Sequence, residues 1–222
     1  MRTLLATLFL IAVSPVYGSI IYFTGEVSVV SPPTSLYPAL ENNDTILGFA
    51  EQQGVLLTSP LDVGISSSGT WICCSGLPSG TIDAGTTVNS YLLYASPSSD
   101  ETGESFREFT GSITFSPGER IVGIIVSYTG LANTDTLLGA PGTTYPPGTD
   151  RTAGIQMHDE VIVGANMESV YVKFYIEAGN SNMIRILTTT ATPEPAAFAM
   201  LGSGLMALAL FGRRRFGRAT SR

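Results

Sequence analysis

One stretch near the C-terminus limits every fold open to this chain. The run Ala196–Phe211 carries no charge, and it lies between Pro193-Glu194-Pro195 and Arg213-Arg214-Arg215. As a helix its 16 or so residues reach roughly 24 Å, against a hydrocarbon core of roughly 30 Å. Snorkelling arginines or local thinning of the bilayer covers such a deficit. Gly202 and Gly204 weaken a soluble helix, but glycine is frequent in membrane helices. Pro193 and Pro195 stop the helix from running upstream. The alternative is a buried core helix. A terminal helix that is apolar on all faces and ends in three arginines would then need a large partner surface. The arginines belong on the cytoplasmic side, which leaves the preceding residues outside. The expectation is one transmembrane helix over 196–211 and a basic cytoplasmic tail over 213–222.

The other end agrees. Met1-Arg2 is a positive start, Leu4 to Val13 is an apolar core, and Val16 and Gly18 are small residues at the positions a signal peptidase needs. This predicts a signal peptide over 1–18, cut after Gly18. A retained membrane helix would need a longer apolar core.

In fixed order, Pro193-Glu194-Pro195, the apolar run with its Leu201-Gly202-Ser203-Gly204-Leu205 centre, and Arg213-Arg214-Arg215 resemble the PEP-CTERM sorting signal of Gram-negative bacteria. Thr192 stands where valine is usual, and the tail beyond the arginines is slightly long. The same signal has also been labelled an ice-binding protein C-terminal domain, a label that carries no evidence of ice binding. The resemblance implies that 192–222 is recognised by an exosortase, an integral-membrane cysteine protease. Cleavage near Pro193–Pro195 would deliver the body to the cell surface, outer envelope or extracellular matrix after a transient stay in the inner membrane.

Residues 19–190 remain, one domain's worth. Against seventeen acids they hold only Arg107, Arg120, Arg151, Lys173 and Arg185, a net charge of −12 where the whole chain has −7. So acidic a body excludes nucleic acid as a partner.

Its pattern is β throughout. Ile20–Val30 reads as a strand interrupted at Gly25. Thr45–Ala50, Val55–Thr58, Leu61–Ser66, Thr86–Ala95, Arg107–Ser116, Glu160–Val163, Val170–Ile176 and Met183–Thr189 follow. Phe109, Ile113 and Phe115 share one face, as do Val170, Val172, Phe174 and Ile176. Arg120–Tyr128 is apolar on both faces, which predicts a central strand. Short strands with frequent turn signals predict an all-β, antiparallel two-sheet sandwich, jelly-roll-like. Asn133–Leu138 is the one helical candidate, about a single turn. The long connection Leu131–Arg151 is of a length that is often functional or self-packed. With its flanking strands, Asp159–Val163 and Met183–Thr188, it resembles segments of uncharacterised exported PEP-CTERM proteins over Thr45–Thr188, a family from which no activity carries over.

Candidate chemistry is sparse. Cys73-Cys74 is the only cysteine pair. Adjacent cysteines close a strained ring, so a vicinal disulfide, bonds between chains and two reduced thiols beside Trp71 all stay open, with a structural role favoured. The single histidine, in His158-Asp159-Glu160, reads as an exposed residue at a strand start. Gly64-Ile65-Ser66-Ser67-Ser68-Gly69 is no nucleophile elbow, and one histidine makes a poor zinc site. Asp100, Glu101 and Glu104 read as a solvated edge. Asp135, Asp150 and Asp159 flank the long connection and offer oxygen ligands to calcium, without a calcium-binding motif. No spacing selects a glycosidase pair. The tyrosines and Trp71 suit either a sugar-binding face or, more commonly, strand packing. Threonines show no regular ranks of the kind an ice-binding face needs.

The expected function is therefore non-enzymatic and without cofactor: an exported structural or adhesive domain. A carbohydrate-binding module for exopolysaccharide is second, and a secreted hydrolase third. The expected partners are signal peptidase, exosortase and, before processing, the membrane.

Overall fold

The computed structural model describes residues 20–36, 42–72, 76–97, 106–147, 154–177 and 180–190. The expected leader over 1–18, Cys73-Cys74, Asp100, Glu101, Glu104, Asp150 and the whole of 192–222 lie outside the described residues. Among the described residues no helix is long and apolar enough to cross a membrane. By its contacts the chain divides into Met1–Thr190 and Ala191–Arg222, and every described residue belongs to the first.

Among the described residues thirteen strands and one helix follow in order: β1 Ile20–Gly25, β2 Val27–Val29, β3 Asn42–Ala50, β4 Val55–Leu56, β5 Leu61–Val63, β6 Gly69–Ile72, β7 Gly80–Ile82, β8 Thr87–Ser96, β9 Phe106–Phe115, β10 Glu119–Ile125, α1 Tyr128–Leu138, β11 Glu160–Val163, β12 Ser169–Glu177 and β13 Asn182–Thr190. They build a front sheet ordered β1-β9-β12-β11-β6 and a back sheet ordered β10-β13-β8-β3-β2, with β4 on β8 and a small ribbon of β5 and β7. All pairs are antiparallel except β2 with β3.

Alternation places the core. Phe109, Ile113 and Phe115 of β9 and Val170, Val172, Phe174 and Ile176 of β12 turn inward and meet Ile46, Tyr91, Leu93, Ile184 and Ile186 of the back sheet. Trp71 packs against this layer too. The back sheet is buried on both faces. Leu47, Phe49, Leu92, Tyr94, Met183 and Leu187 point away from the front sheet into a second apolar layer, capped by Leu36, Leu57, Val63, Ile82, Leu131, Leu138 and Ala140. The front sheet has no such second layer among the described residues.

Two expectations change. Strand β10 is not central but at the edge of the back sheet, paired only with β13. Its two apolar faces reflect cover on both sides. Ile124 belongs to the inter-sheet layer and Ile125 to the outer one. The backbone of Gly64 and Ile65 closes its free edge, with Gly64 N–H and Ile65 N–H both donating to the Ile124 carbonyl. Gly123 is needed there, since a Cβ would sit 2.6 Å from Val63 Cγ1.

The helix is three turns long, not one. Gly130 and three threonines make its sequence a poor helix former, so packing of Leu131 and Leu138 onto the back sheet decides it. The Ser127 hydroxyl caps its start by accepting from Gly130 N–H at 3.2 Å. At the other end Gly139 N–H donates to the Asp135 carbonyl at 2.9 Å. The sequence expectation also passed over β6 and β7, which are four and three residues long.

Candidate functional site

Among the described residues three carboxylates are buried, and β13 supplies a partner to each. The central one is Glu51, just beyond β3. Arg185, fully buried in β13, grips it with two hydrogen bonds, Nε to Oε2 at 2.6 Å and Nη2 to Oε1 at 2.8 Å. The guanidinium also donates to Asp135 Oδ1 at 3.0 Å, Thr134 Oγ1 at 2.6 Å and the Leu131 carbonyl at 3.1 Å, all on α1. Ser90 donates to Glu51 Oε2 at 2.7 Å and Tyr145 to Oε1 at 2.6 Å. Burial opposes the charge on Arg185, but hydrogen bonding and attraction from Glu51, with help from Asp135, outweigh it and hold the guanidinium above its ordinary pKa. Burial first, then the Glu51 charge, keeps the Tyr145 hydroxyl protonated well above the usual phenol range. The network fastens the long connection to the outer side of the back sheet.

The other two close the ends of the inter-sheet layer. Glu119 Oε1 accepts from Asn89 Nδ2 at 3.2 Å, from the Tyr91 hydroxyl at 2.9 Å and from the Thr188 hydroxyl at shorter range. Burial, then the Glu119 charge, raises Tyr91 far above a free phenol. At the opposite end of β13, Asn182 Nδ2 donates to Asp159 Oδ2 at 2.6 Å. Gln156 N–H and Tyr175 N–H complete the Asp159 shell, each at 2.6 Å. Burial pushes the Asp159 carboxyl up to about 6 despite these two backbone donors.

These carboxylates are shut away from solvent, so none is presented to a substrate in the way that either carboxylate of a glycosidase pair must be. Asp135 and Asp159 enter separate networks, the first with Arg185 and the second with Asn182. Among the described residues no three His, Cys, Asp or Glu side chains gather in a way that could hold a metal ion.

The accessible chemistry lies on the outer face of the front sheet. Strand alternation there presents Thr24 opposite Ser112, Ser112 opposite Tyr171, and Tyr171 opposite Ile162. The next row sets Thr110 beside Lys173 and Lys173 beside Glu160. Thr24 and Ser112 share a hydroxyl hydrogen bond of 2.6 Å. Tyrosine, lysine and glutamate interrupt the hydroxyls, so no regular rank forms. At the β9–β12 end an aromatic group stands on this face. Phe106, 44% exposed, stacks on Tyr175 with centroids 5.0 Å apart and planes 9° apart. The ring of His158 meets Tyr175 edge-on at 5.7 Å.

His158 is exposed and just precedes β11, as the sequence predicts. Its φ of 78° lies in the left-handed region, which is strained for a residue other than glycine. The turn around it is held at both ends, by Asp159 N–H to the Gln156 carbonyl and by Gln156 N–H to the Asp159 carboxylate. Of the aromatics expected to suit a sugar face or the core, Trp71 and Tyr91 pack inward and Tyr94 belongs to the outer apolar layer. Tyr171 and Tyr175 are on the open face. Arg185 and Glu51 were not singled out from sequence. The available signal was an arginine in the middle of the apolar strand Met183-Ile184-Arg185-Ile186-Leu187.

Comparisons with protein-family models, curated proteins and solved structures return no match.

Proposed function

We propose that this chain is an exported protein of the cell envelope or extracellular matrix, carried there by a leader over 1–18 and a PEP-CTERM-type tail over 192–222. On this reading Pro193, Glu194 and Pro195 are the motif met by an exosortase. Residues 196–211 are a transient membrane anchor, and Arg213, Arg214 and Arg215 hold the end on the cytoplasmic side. The body is a jelly-roll-like sandwich, a reading supported by the way β8, β9, β10 and β11 alternate between the two sheets. Its role is adhesive or structural, not enzymatic. One observation carries this: the back sheet is covered by the chain's own helix and loops, while the front sheet keeps a broad outer face of hydroxyls and aromatic rings.

Mass spectrometry of the mature protein from exosortase-positive and exosortase-negative cells tests the sorting. The positive cells should yield a body that lacks the arginine tail. Retention of that tail in both would overturn the assignment.

A second reading, carbohydrate binding, draws on the Phe106–Tyr175–His158 group. Aromatic rings pack against the C–H faces of pyranose sugars, and hydroxyl and charged side chains nearby supply hydrogen bonds. The acidic body favours neutral glycans over anionic ones. A glycan array probed with wild type and Tyr175→Ala tests it. Neutral-glycan signals that the variant loses support this reading; a blank array with folded protein leaves the structural role alone.

A further inference from the structure

Of the three buried carboxylates, Glu119 is the least well satisfied. Asn89 Nδ2, the Tyr91 hydroxyl and the Thr188 hydroxyl all donate to its Oε1, while its buried Oε2 has no hydrogen-bond partner among the described residues. These three partners are neutral, whereas Glu51 is gripped by Arg185. A buried carboxylate arranged in this way is costly as a structural element and well suited to moving a proton between groups in its reach.

Its neighbours supply the other parts of an acyl transfer. Asn89 on β8 and Thr188 on β13 are direct cross-strand partners, and Glu119 of β10 meets both side chains. The Thr188 hydroxyl is hydrogen-bonded to a base, the pairing that activates a hydroxyl nucleophile. The Asn89 amide is an acyl group with a leaving nitrogen, and that nitrogen lies 3.2 Å from the same Glu119 oxygen. The partners fix the amide's orientation: Nδ2 donates to the carboxylate, and Oδ1 accepts from Gly54 N–H at 2.9 Å. Gly54 N–H therefore points at the oxygen on which a tetrahedral intermediate would carry its negative charge. The loop that ends at Gly54 is laid against β8 by Glu51 N–H to the Ser90 carbonyl and Ser90 N–H to the Gln52 carbonyl, each at 2.8 Å, so this donor is held in place. Burial completes the arrangement. Asn89, Glu119 and Thr188 are 5%, 1% and 0% exposed, which keeps water from an ester formed among them.

We propose that Thr188 and Asn89 become joined by an internal ester bond, which the chain makes on itself with Glu119 as general base and then general acid. Thr188 Oγ1 attacks Asn89 Cγ as Glu119 Oε1 takes the hydroxyl proton. The negative charge passes to Asn89 Oδ1, opposite Gly54 N–H. Collapse of this intermediate re-forms the carbonyl and breaks the Cγ–Nδ2 bond. Glu119 returns the proton to the departing nitrogen, which leaves as ammonia. One C–O bond forms, one C–N bond breaks and Glu119 ends as it began, so no oxidant, reductant or cofactor is consumed. The product is a covalent link between β8 and β13, the last strand of the body. The inference is independent of how the leader and tail are processed and of what the outer face binds.

The test is intact-mass spectrometry of the full chain, with its termini fixed by peptide mapping. Wild type should be lighter than its sequence by the mass of one ammonia, and tandem spectra should show two peptides joined through Asn89 and Thr188. Glu119→Gln, which removes the base, and Thr188→Val, which removes the nucleophile and keeps its shape, should each restore the full mass. Thr188→Val serves if Glu119→Gln does not fold by circular dichroism, and the wild-type mass needs no variant. A folded wild type at its full sequence mass overturns the proposal. So does an ammonia loss that persists in folded Thr188→Val, or one that maps to a ring closed within Asn89-Ser90.

Discussion

The two sheets have outer faces of opposite kinds. Behind the back sheet, Leu47, Phe49, Leu92 and Leu187 lie under Leu131, Leu138 and Ala140, and a buried guanidinium ties the cover down through Glu51, Asp135 and Thr134. The front sheet's outer face carries Thr24, Thr110, Ser112, Tyr171, Lys173 and Tyr175, whose polar groups need no cover, beside Ile162 and Phe106. Substitutions behind the back sheet should therefore act on stability, and substitutions in front of the front sheet on binding.

The largest effect should come from Arg185→Met. It leaves the Glu51 carboxylate buried without its cation, and removing one member of a buried pair costs about 3–5 kcal/mol. Urea unfolding should show that loss, and a loss below about 1 kcal/mol would mean that the network does not hold the cover.

Next comes the pH response of Asp159. Between its ordinary value of 3.8 and its folded value of about 6, the folded protein keeps a proton that the unfolded chain has released. Its contribution therefore favours folding at the acid end and is lost as pH rises from about 4 to about 6, by about 3 kcal/mol at most. Asp159→Asn should flatten that part of the profile of melting temperature against pH; an unchanged slope would remove Asp159 as its source.

A smaller step is expected for Tyr145→Phe, which loses the hydroxyl shared between Glu51 and Ala140 N–H. About 1 kcal/mol is the ordinary cost, measured against wild type in the same urea titration. The smallest effect belongs to the other face. Tyr171→Ala should shift stability by only about 0.5 kcal/mol, because its ring is only partly buried. A loss comparable to that of Arg185→Met would erase the contrast between the faces.

Much of this was legible in residue order. The alternation in β9 and β12 put Phe109, Ile113, Val172 and Phe174 on the correct side, because a half-buried strand must alternate. Where both faces are buried, alternation carries no information about position in the sheet. That is why β10, wrapped by the Val63–Ile65 segment, looked central. Helix α1 was shortened because its threonines and Gly130 are poor helix formers, and the packing that overrides them is long-range. The Glu51–Arg185 pair spans 134 positions, so no local pattern could join its halves. Glu51 sits in Glu51-Gln52-Gln53-Gly54, which looks like an ordinary polar turn. The open face was visible only as scattered tyrosines until register brought Tyr175 against Phe106.

Strand β13 has a mechanical meaning as well. It is the last strand of the body, hydrogen-bonded to β10 on one side and β8 on the other, and the chain leaves it at Thr190 towards residues 192–222. A molecule held by its C-terminus takes any load through this strand. Thr188, Arg185 and Asn182 then meet the pull in succession, each gripping a different buried carboxylate. Traction applied at Thr190 would thus be met first by a strand paired on both sides and hydrogen-bonded to each of these three buried carboxylates.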